Sequence, residues 1–177
     1  MEKTQESQTI YKGRIINLRL DSVELDNGKT ALREIVEHPG AVGIIALKNN
    51  KDLILVKQYR KAVEEYLLEI PAGKLERDED PKDCAARELK EETGYRAASV
   101  RYLSSLYTSP GFSNEIMHIF LASGLEYEKT NPDEDEIIHI VELDKSKVLD
   151  MALKGEIKDA KTLTAILMLN LIQNDMT

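Results

Sequence analysis

The sequence contains little that would cross-link the chain, anchor it in a membrane or attract nucleic acid. Its single cysteine, Cys84, excludes a disulfide within the chain, which fits a reducing compartment. The longest apolar run, residues 41–47, is far too short to span a membrane, and the polar N-terminus lacks the apolar segment of a signal peptide. Acidic residues number 32 against 24 lysines and arginines, and the net charge of −8 argues against sequence-independent binding of nucleic acid. We therefore expect a soluble, cytoplasmic protein with neither a membrane nor a nucleic-acid partner.

The chain also lacks internal repeats, low-complexity segments and a linker long enough to separate two full domains. Its 177 residues, 42% of them hydrophobic, suffice for one domain with a full core. We expect an N-terminal extension over 1–38, followed by the main domain over 39–177. In the extension the sequence alternates in strand fashion over 9–38, and its segments 15–25 and 31–38 flank Asn27-Gly28, a strong hairpin signal. Because so small a sheet is marginal alone, we expect it to pack against a second subunit in a homodimer.

The main domain alternates between strand and helix patterns, which indicates an α/β fold. Residues 42–47 are almost all apolar and predict a buried strand, with which 53–58 should pair at the centre of a sheet. Further strands are expected over 66–70, 100–108, 116–122 and 137–143, with a Pro-Ala-Gly turn at 71–73. Helices are expected over 81–93, 145–153 and 159–174. The last helix carries a largely apolar stripe, which we assign either to the core or to a subunit contact. Its residues are Leu163, Ile166, Leu167, Asn170 and Leu171.

The helix over 81–93 has clear signals at both ends. Asp80 is a good N-cap, and Pro81 fits the first helical position. Gly94 suits the left-handed residue that commonly follows the last turn of a helix. These three residues predict the helix bounds without any reference to its apolar face.

One face of this helix is acidic. At about 100° per residue, Glu88, Glu91 and Glu92 fall on one stripe. Like charges at this spacing repel each other, although Arg87 can pair with Glu91 at i,i+4. Carboxylate oxygens suit Mg²⁺ or Mn²⁺, and a bound metal ion would let an acidic protein take a phosphate-containing substrate. The competing interpretation is a solvated acidic helix face.

The spacing of the residues around this stripe is more specific than the stripe itself. The chain resembles the Nudix hydrolases, whose signature it matches at Gly73, Glu79, Arg87-Glu88-Leu89, Glu91-Glu92 and Gly94, with five, seven, one and one residues between these positions. Tyr95 departs from the pattern, because the family more often has an aliphatic residue there. The resemblance implies an α/β/α Nudix sandwich with a mixed central sheet, preceded here by the N-terminal antiparallel β-hairpin extension.

Within the family, the resemblance is to bacterial ADP-ribose pyrophosphatases. Pro110 lies sixteen residues past Gly94, as in that branch, and Asp159-Ala160-Lys161-Thr162 is in register with it. The implied function is Mg²⁺-dependent hydrolysis of the diphosphate of ADP-ribose to AMP and ribose 5-phosphate, with Mn²⁺ as a substitute. Another nucleoside diphosphate sugar or a dinucleoside polyphosphate is the alternative substrate. A non-catalytic sensor that binds ADP-ribose is the alternative from a different class.

The resemblance also implies metal ligands and catalytic groups. The implied ligands are Ala72 (through its carbonyl oxygen), Glu88, Glu91, Glu92, Glu115 and Glu136. A glutamate of the acidic loop 131–136 would act as general base, with Glu134 favoured and Glu136 second, whereas composition alone favours a solvated loop. Arg87 would orient Glu91, and both are assigned to the catalytic set.

Substrate contacts complete the expectations. The resemblance places Arg60 and Lys74 near the diphosphate, Ser109, Pro110, Gly111 and Glu115 along the ligand, and Arg14, Ile15, Arg33, Glu34 and His38 at the adenosine end across the dimer. The residues alone leave simpler interpretations open, among them a pairing of Arg60 with Glu64 or Glu65, a solvated strand face around Arg33, and an ordinary turn at 109–115. Glu69 either faces the same pocket or forms a salt bridge at its strand end.

Overall fold

The computed structural model describes residues 1–129 and 137–174, which group into two compact units. The first unit comprises Met1–Gly40 and Leu106–Met117. The second comprises Ala41–Ser105 and the chain from His118 onward. The expected boundary between an extension and a main domain at residue 38 stays a prediction.

The first unit contains a three-stranded antiparallel sheet of β1 (Lys3–Lys12), β2 (Asn17–Glu24) and β3 (Thr30–Glu37), in that order. The predicted hairpin joins β2 to β3. Gly28 adopts a φ of 77°, and the Leu25 N–H donates to the Lys29 carbonyl oxygen at 2.8 Å. Strand β1 was not expected over its full length, because all of its residues are exposed and it has no apolar alternation to reveal it.

The larger sheet has seven strands among the described residues, with the order β10-β5-β4-β9-β8, while β6 pairs with β5 and β7 pairs with β4. Its strands are β4 (Ala41–Lys48), β5 (Asp52–Arg60), β6 (Glu65–Glu69), β7 (Ala72–Lys74), β8 (Tyr95–Tyr107), β9 (Ile116–Tyr127) and β10 (Ile138–Asp144). The predicted central pair β4 and β5 is confirmed, and the turn between them uses Asn49 and Asn50 with φ of 52° and 55°. Strand β8 begins earlier, and β9 ends later, than the sequence pattern indicated.

Residues 72–74 form a strand where we expected a turn. Strand β7 runs antiparallel to β4, which places Gly73 opposite Val42. The Ile44 N–H also donates to the Pro71 carbonyl oxygen at 2.8 Å, so the segment is fixed to the sheet from its first residue. Because β7 is hydrogen-bonded along its length, its backbone is a firm support for the side chains that lie against it.

The three helices described are α1 (Pro81–Thr93), α2 (Lys145–Leu153) and α3 (Ala160–Asn174). The predicted caps of α1 are confirmed: Asp80 accepts from the Lys82 N–H at 2.8 Å, and Gly94 has a φ of 72° and donates to the Lys90 carbonyl oxygen at 2.8 Å. None of the described helices has both the length and the apolar character needed to cross a membrane.

The core lies on both faces of β4, all of whose residues up to Leu47 are buried. Even-numbered residues of β4 cluster with the apolar face of α1, formed by Cys84, Ala85 and Leu89. Because side chains alternate along a strand, the odd-numbered residues face the other side of the sheet. Helix α3 also contacts β4, so that strand is covered twice, as expected for the centre of a sandwich.

The apolar stripe predicted for α3 is only partly buried. Ile166 is in the core, but Leu167 and Leu171 are 39% and 64% exposed, and the buried face passes instead through Ala165 and Leu169. Apolar residues surround the first turns of this helix, so their periodicity does not define a single face.

Candidate functional site

Gly73 permits a close approach between helix α1 and strand β7. A Cβ atom at this position would lie 1.9 Å from Cδ and 2.0 Å from Oε1 of Glu88. Any residue other than glycine would therefore have to displace the Glu88 carboxylate. The side chain of Glu88 lies directly against the backbone of β7.

Glu92, one turn further along α1, is held against the same strand. It is 4% exposed, and its Oε2 accepts a hydrogen bond from the Ala72 N–H at 3.0 Å. A buried carboxylate needs donors or a cation beside it, and the amide of Ala72 supplies one donor. The structure thus brings together Ala72, Glu88 and Glu92, the three residues to which the sequence assigned the main metal contacts.

A single guanidinium connects three carboxylates on the exposed side of this site, and we name Arg87, Glu79, Glu88 and Glu91 the Arg87 cluster. Arg87 donates to both oxygens of Glu79, through Nε at 2.8 Å and Nη2 at 3.0 Å. Its Nη1 donates to Glu88 Oε1 at 2.8 Å and to Glu91 Oε2 at 2.9 Å. The predicted i,i+4 pairing of Arg87 with Glu91 is present, and Glu79 is the main partner.

These contacts shift the protonation equilibria of the cluster. The hydrogen bonds from Arg87 lower the pKa of Glu79 from its ordinary 4.5 to about 2, against a smaller opposing effect of burial. The same contacts raise the pKa of Arg87. Burial raises the pKa of the Cys84 thiol to about 12, so this thiol, which lies 3.4 Å from Arg87 Nη2, stays protonated and packs as an apolar group.

The donor set at β7 fits a hard divalent cation. It consists of oxygen atoms only, and two acidic side chains are held on one small backbone segment, which is the chemistry Mg²⁺ and Mn²⁺ prefer. In the described part of the chain, no group of three or more His, Cys, Asp or Glu side chains is arranged to hold a metal ion. A site at this position would therefore need a main-chain oxygen, such as the Ala72 carbonyl, in addition to Glu88 and Glu92.

A second charge cluster lies at the end of β6, and we name Glu69, Arg60, Lys161 and Asp159 the Glu69 cluster. Glu69 is fully buried. Arg60 donates to its Oε1 through Nε and to its Oε2 through Nη2, both at 2.7 Å, and Lys161 Nζ donates to the same Oε2. Burial alone would raise the pKa of Glu69, but the two cations outweigh this effect and lower it. Of the two alternatives for Glu69, the structure shows the salt bridge.

The pairing of Arg60 with Glu64 or Glu65 that the sequence left open does not occur. Glu64 pairs with Lys61, and Glu65 pairs with Lys158. Both of these are exposed surface pairs. The only signal for the true partner was a glutamate inside the otherwise apolar run 67–71.

The start of α3 completes the Glu69 cluster. Asp159 accepts from Lys161 Nζ at 3.0 Å and from the Thr162 N–H at 2.9 Å. Thr162 in turn accepts from the Ile70 N–H at 2.8 Å, through its hydroxyl oxygen. This network ties the first turn of α3 to the chain just before β7. Lys74, assigned to substrate contacts, is exposed, and its carbonyl oxygen accepts weakly from Arg87 Nη2 at 3.5 Å.

The first unit brings two of its predicted site residues together. His38 Nδ1 lies 3.6 Å from Glu115 Oε1 and accepts from the Gly40 N–H at 3.1 Å. Thr108 Oγ1 donates to Glu115 Oε2 at 2.6 Å, and the Asn114 side chain accepts from the His38 N–H at 2.8 Å. His38 and Glu115 are thus parts of one hydrogen-bonded corner.

The remaining predicted residues of this unit lie on its surface. The loop from Ser109 is a turn, closed by the Phe112 N–H on the Ser109 carbonyl oxygen at 3.1 Å, with Pro110 and Gly111 exposed on it. Arg33 donates to Glu2 through Nε at 3.0 Å. Exposed positions are also occupied by Arg14, Ile15 and Glu34.

The two candidates for general base, Glu134 and Glu136, lie outside the described residues. Their assignment, and the metal contact assigned to Glu136, stay predictions.

Comparison with known families gives two matches that together cover most of the chain. Residues 37–165 match a family described as the NUDIX domain, and residues 2–36 match a family described as the nucleoside diphosphate sugar hydrolase N-terminal domain. The division between these two matches falls at Glu37, the last residue of strand β3.

Two curated relatives are each 46% identical over 172 residues, spanning 96% of this chain and 93% of the relative. One is named methanol dehydrogenase activator, from Bacillus methanolicus, and the other ADP-ribose pyrophosphatase, from Bacillus subtilis (strain 168). A crystal structure of an ADP compounds hydrolase matches with a TM-score of 0.87 at 24% identity, covering 99% of this chain and 95% of that chain. This likeness confirms the predicted α/β sandwich with its N-terminal antiparallel sheet.

Proposed function

This chain belongs to the Nudix family, whose domain matches residues 37–165, and we propose that it hydrolyses the diphosphate of ADP-ribose to AMP and ribose 5-phosphate. The proposal is supported by the relative from Bacillus subtilis, which carries the name ADP-ribose pyrophosphatase at 46% identity. The second family match, to an N-terminal domain of nucleoside diphosphate sugar hydrolases, supports the same substrate class.

The observation that carries the proposal is the convergence of Glu88 and Glu92 on the backbone of β7. Together with the Ala72 carbonyl oxygen, these carboxylates would hold Mg²⁺, or Mn²⁺ in its place, with Glu91 as a further ligand. A bound divalent ion would neutralise non-bridging oxygens of the diphosphate and acidify a water molecule. We propose this ion as the cofactor.

The residues of the chain would then divide the remaining work. Arg87 orients Glu88 and Glu91 through the hydrogen bonds described above, so that both carboxylates keep the same orientation when the ion binds. Glu134, or else Glu136, removes a proton from the attacking water, which must approach the phosphorus in line with the leaving oxygen. Arg60 and Lys74 contact the diphosphate, where the fixed fork of an arginine suits phosphate oxygens.

The decisive experiment replaces Glu92 with glutamine. Glutamine keeps an oxygen that can accept from the Ala72 N–H, so the fold should survive, while the lost charge should reduce Mg²⁺-dependent turnover by about a thousandfold or more. Turnover is measured as AMP release from ADP-ribose, metal affinity by titration with Mn²⁺, and folding by circular dichroism. Glu128→Gln is the matched control, since Glu128 pairs with Lys90 of the same helix on the surface. Full turnover by folded Glu92→Gln would overturn the metal assignment.

A second substrate class is favoured by the description of the N-terminal match, which names nucleoside diphosphate sugars in general. A panel of ADP-ribose, other nucleoside diphosphate sugars and dinucleoside polyphosphates, with identification of each product, separates these possibilities. Absence of turnover with binding of ADP-ribose would instead indicate the non-catalytic sensor.

We also propose that the protein is cytoplasmic and forms a homodimer through the N-terminal sheet. The support for the dimer is apolar surface at the end of β1 and in the turn that follows it, where Ile10, Tyr11 and Ile15 are each more than half exposed. Strand β1 is an edge strand, and the unpaired backbone groups of an exposed edge can pair with another chain. Analytical ultracentrifugation measures the assembly, and a monomer at micromolar concentration would contradict the proposal.

A further inference from the structure

Glu69 is a fully buried carboxylate to which the proposed reaction gives no role. A charge removed from water costs free energy unless partners replace its hydration, and a buried ion pair is a weak source of stability. Glu69 nonetheless has two cationic partners, Arg60 and Lys161. Such ion pairs contribute little to stability, but they fix the geometry of the side chains closely. This suggests that Glu69 serves to position one of its two partners.

Arg60 is the member whose orientation is fixed most completely. Its Nε and Nη2 form two parallel hydrogen bonds to the two oxygens of Glu69, which fixes the plane of the guanidinium. No hydrogen bond from Nη1 occurs among the described residues, so the N–H groups of that nitrogen remain available. The side chain of Arg60 is 41% exposed, compared with 11% for Lys161. The bonded edge of Arg60 therefore faces inward, and its Nη1 edge is the one that can meet a ligand.

The cluster is attached to the segment that leads into β7. Glu69 precedes Ala72 by three residues, and between them the Ile70 N–H is bonded to Thr162 of α3. The negative charge of Glu92 contributes to the raised pKa of Arg60, after the larger contributions of Glu69 and Asp159, so this guanidinium lies within electrostatic range of the Glu92 carboxylate. Arg60 and Glu92 thus belong to one region of the second unit, on either side of the segment that leads into β7.

We propose that Glu69 is a positioning residue, which with Lys161 holds Arg60 so that the free Nη1 edge of its guanidinium binds a phosphate of the substrate. This inference rests on the proposed function, because it takes the diphosphate as the ligand of Arg60. Lys161 has a separate part in it. By donating to both Glu69 and Asp159, it keeps Glu69 fixed when a phosphate competes for Arg60.

The test compares Glu69→Gln with Glu65→Gln as a matched control. Glu65 lies on the same strand β6 and forms a salt bridge to Lys158 just before α3, but both partners are exposed. For each protein we would measure kcat and KM on the best substrate of the panel, and calorimetric affinity for an α,β-methylene analogue of ADP-ribose that cannot be cleaved. Thermal unfolding and circular dichroism report whether each variant is folded.

Glu69→Gln should bind the analogue about tenfold more weakly and lose kcat/KM by about the same factor, because glutamine has a single acceptor oxygen and no charge, so the charge-assisted bidentate pair is lost. In a variant that already lacks the guanidinium, Arg60→Ala, adding Glu69→Gln should cause little further loss. Glu65→Gln should match the wild type. If Glu69→Gln does not fold, Glu69→Asp keeps the charge but shortens the side chain, and should show a several-fold loss of analogue affinity.

The outcomes separate this inference from the proposed function. If the wild type cleaves a nucleoside diphosphate sugar while folded Glu69→Gln, or folded Glu69→Asp in its place, keeps full kcat/KM and analogue affinity, Glu69 is purely structural and the positioning role is wrong. Equal further losses from Glu69→Gln in the wild-type and Arg60→Ala backgrounds would also overturn it, since the effect would not pass through Arg60. If the wild type cleaves no member of the panel and does not bind the analogue, the proposed function fails and this inference fails with it.

Discussion

The second unit holds two charge clusters with opposite balance. In the Arg87 cluster, one guanidinium serves three carboxylates, so two negative charges are left over even before Glu92 is considered. In the Glu69 cluster, two carboxylates face two cations and the charges cancel. The first cluster therefore carries a net negative charge, whereas the charges of the second cancel within the protein.

Burial differs between the clusters in the direction that their charge balance requires. Glu91 is partly exposed, which reduces the repulsion among the surplus carboxylates through solvent screening. Glu69 is fully buried, where only close pairing can compensate for the lost hydration. The comparison suggests that surplus charge provides binding, and that balanced charge provides fixed geometry.

Among the changes that compare the two clusters, Gly73→Ala should have the largest effect, because it disturbs the Arg87 cluster without changing any charge. The new methyl group would overlap the Glu88 carboxylate, and because that carboxylate ends a flexible side chain, it should move while the fold remains. A displacement of about 1 Å at a catalytic group can cost about a hundredfold in rate, and we expect a loss of kcat of that size. Steady-state kinetics at saturating Mg²⁺ measures it.

A control for Gly73→Ala is Gly155→Ala, in the turn after α2. Gly155 has a φ of 75° and open space around its Cα, so alanine there should cost about 1 kcal/mol of stability through backbone strain alone. Its kcat should equal that of the wild type. Wild-type kcat in folded Gly73→Ala would mean that the position of Glu88 is unimportant, and that the acidic cluster has no catalytic part.

The acidic stripe of α1 could be predicted from the sequence because the residues that determine it are close together in the chain. Asp80, Pro81 and Gly94 define the ends of α1, and the helical repeat then places Glu88, Glu91 and Glu92 on one stripe. The contact with β7 was also implied by the sequence motif, although its physical reason, the missing Cβ of Gly73, required the structure. Strand β1 was underestimated, because an edge strand exposed on both faces has no periodic signal.

The Glu69 cluster could not be predicted in the same way. Lys161 and Glu69 are 92 positions apart, and local reasoning instead offered Arg60 the nearby glutamates 64 and 65. Only the packing of α3 beside β6 brings these partners together. Patterns within one helix or strand indicate which face is charged, but they do not indicate which distant charge will neutralise it.

The second prediction compares two lysines that form ion pairs with glutamates of β6. Lys161 lies in the first turn of α3, and Lys158 lies just before that helix. Lys161→Ala removes one of two cations from the fully buried Glu69 and should destabilise the protein by about 2 kcal/mol. Lys158→Ala breaks the exposed pair with Glu65 and should cost less than about 0.5 kcal/mol. Urea unfolding with equal m-values measures both changes. Equal costs would mean that the buried cluster is no more than a surface salt bridge in energetic terms.

The smallest effect concerns the pH dependence of the stability that Glu79 of the Arg87 cluster provides. The pKa of Glu79 is about 2 in the folded chain and near its ordinary 4.5 when unfolded, so ionised Glu79 stabilises the fold. This contribution is fully present above about pH 4.5 and is lost as the pH falls towards about 2. The difference in unfolding free energy between the wild type and Glu79→Gln should therefore be largest near neutral pH and shrink across that window. Between pH 4.5 and 7 the differences for Glu79→Gln and for Glu69→Gln should both stay constant, since the lowered pKa keeps each carboxylate ionised there. A difference for Glu79→Gln that stays constant down to about pH 2.5 would show that Arg87 does not hold this carboxylate in its charged form, and the contrast between the surplus and balanced clusters would lose its electrostatic basis.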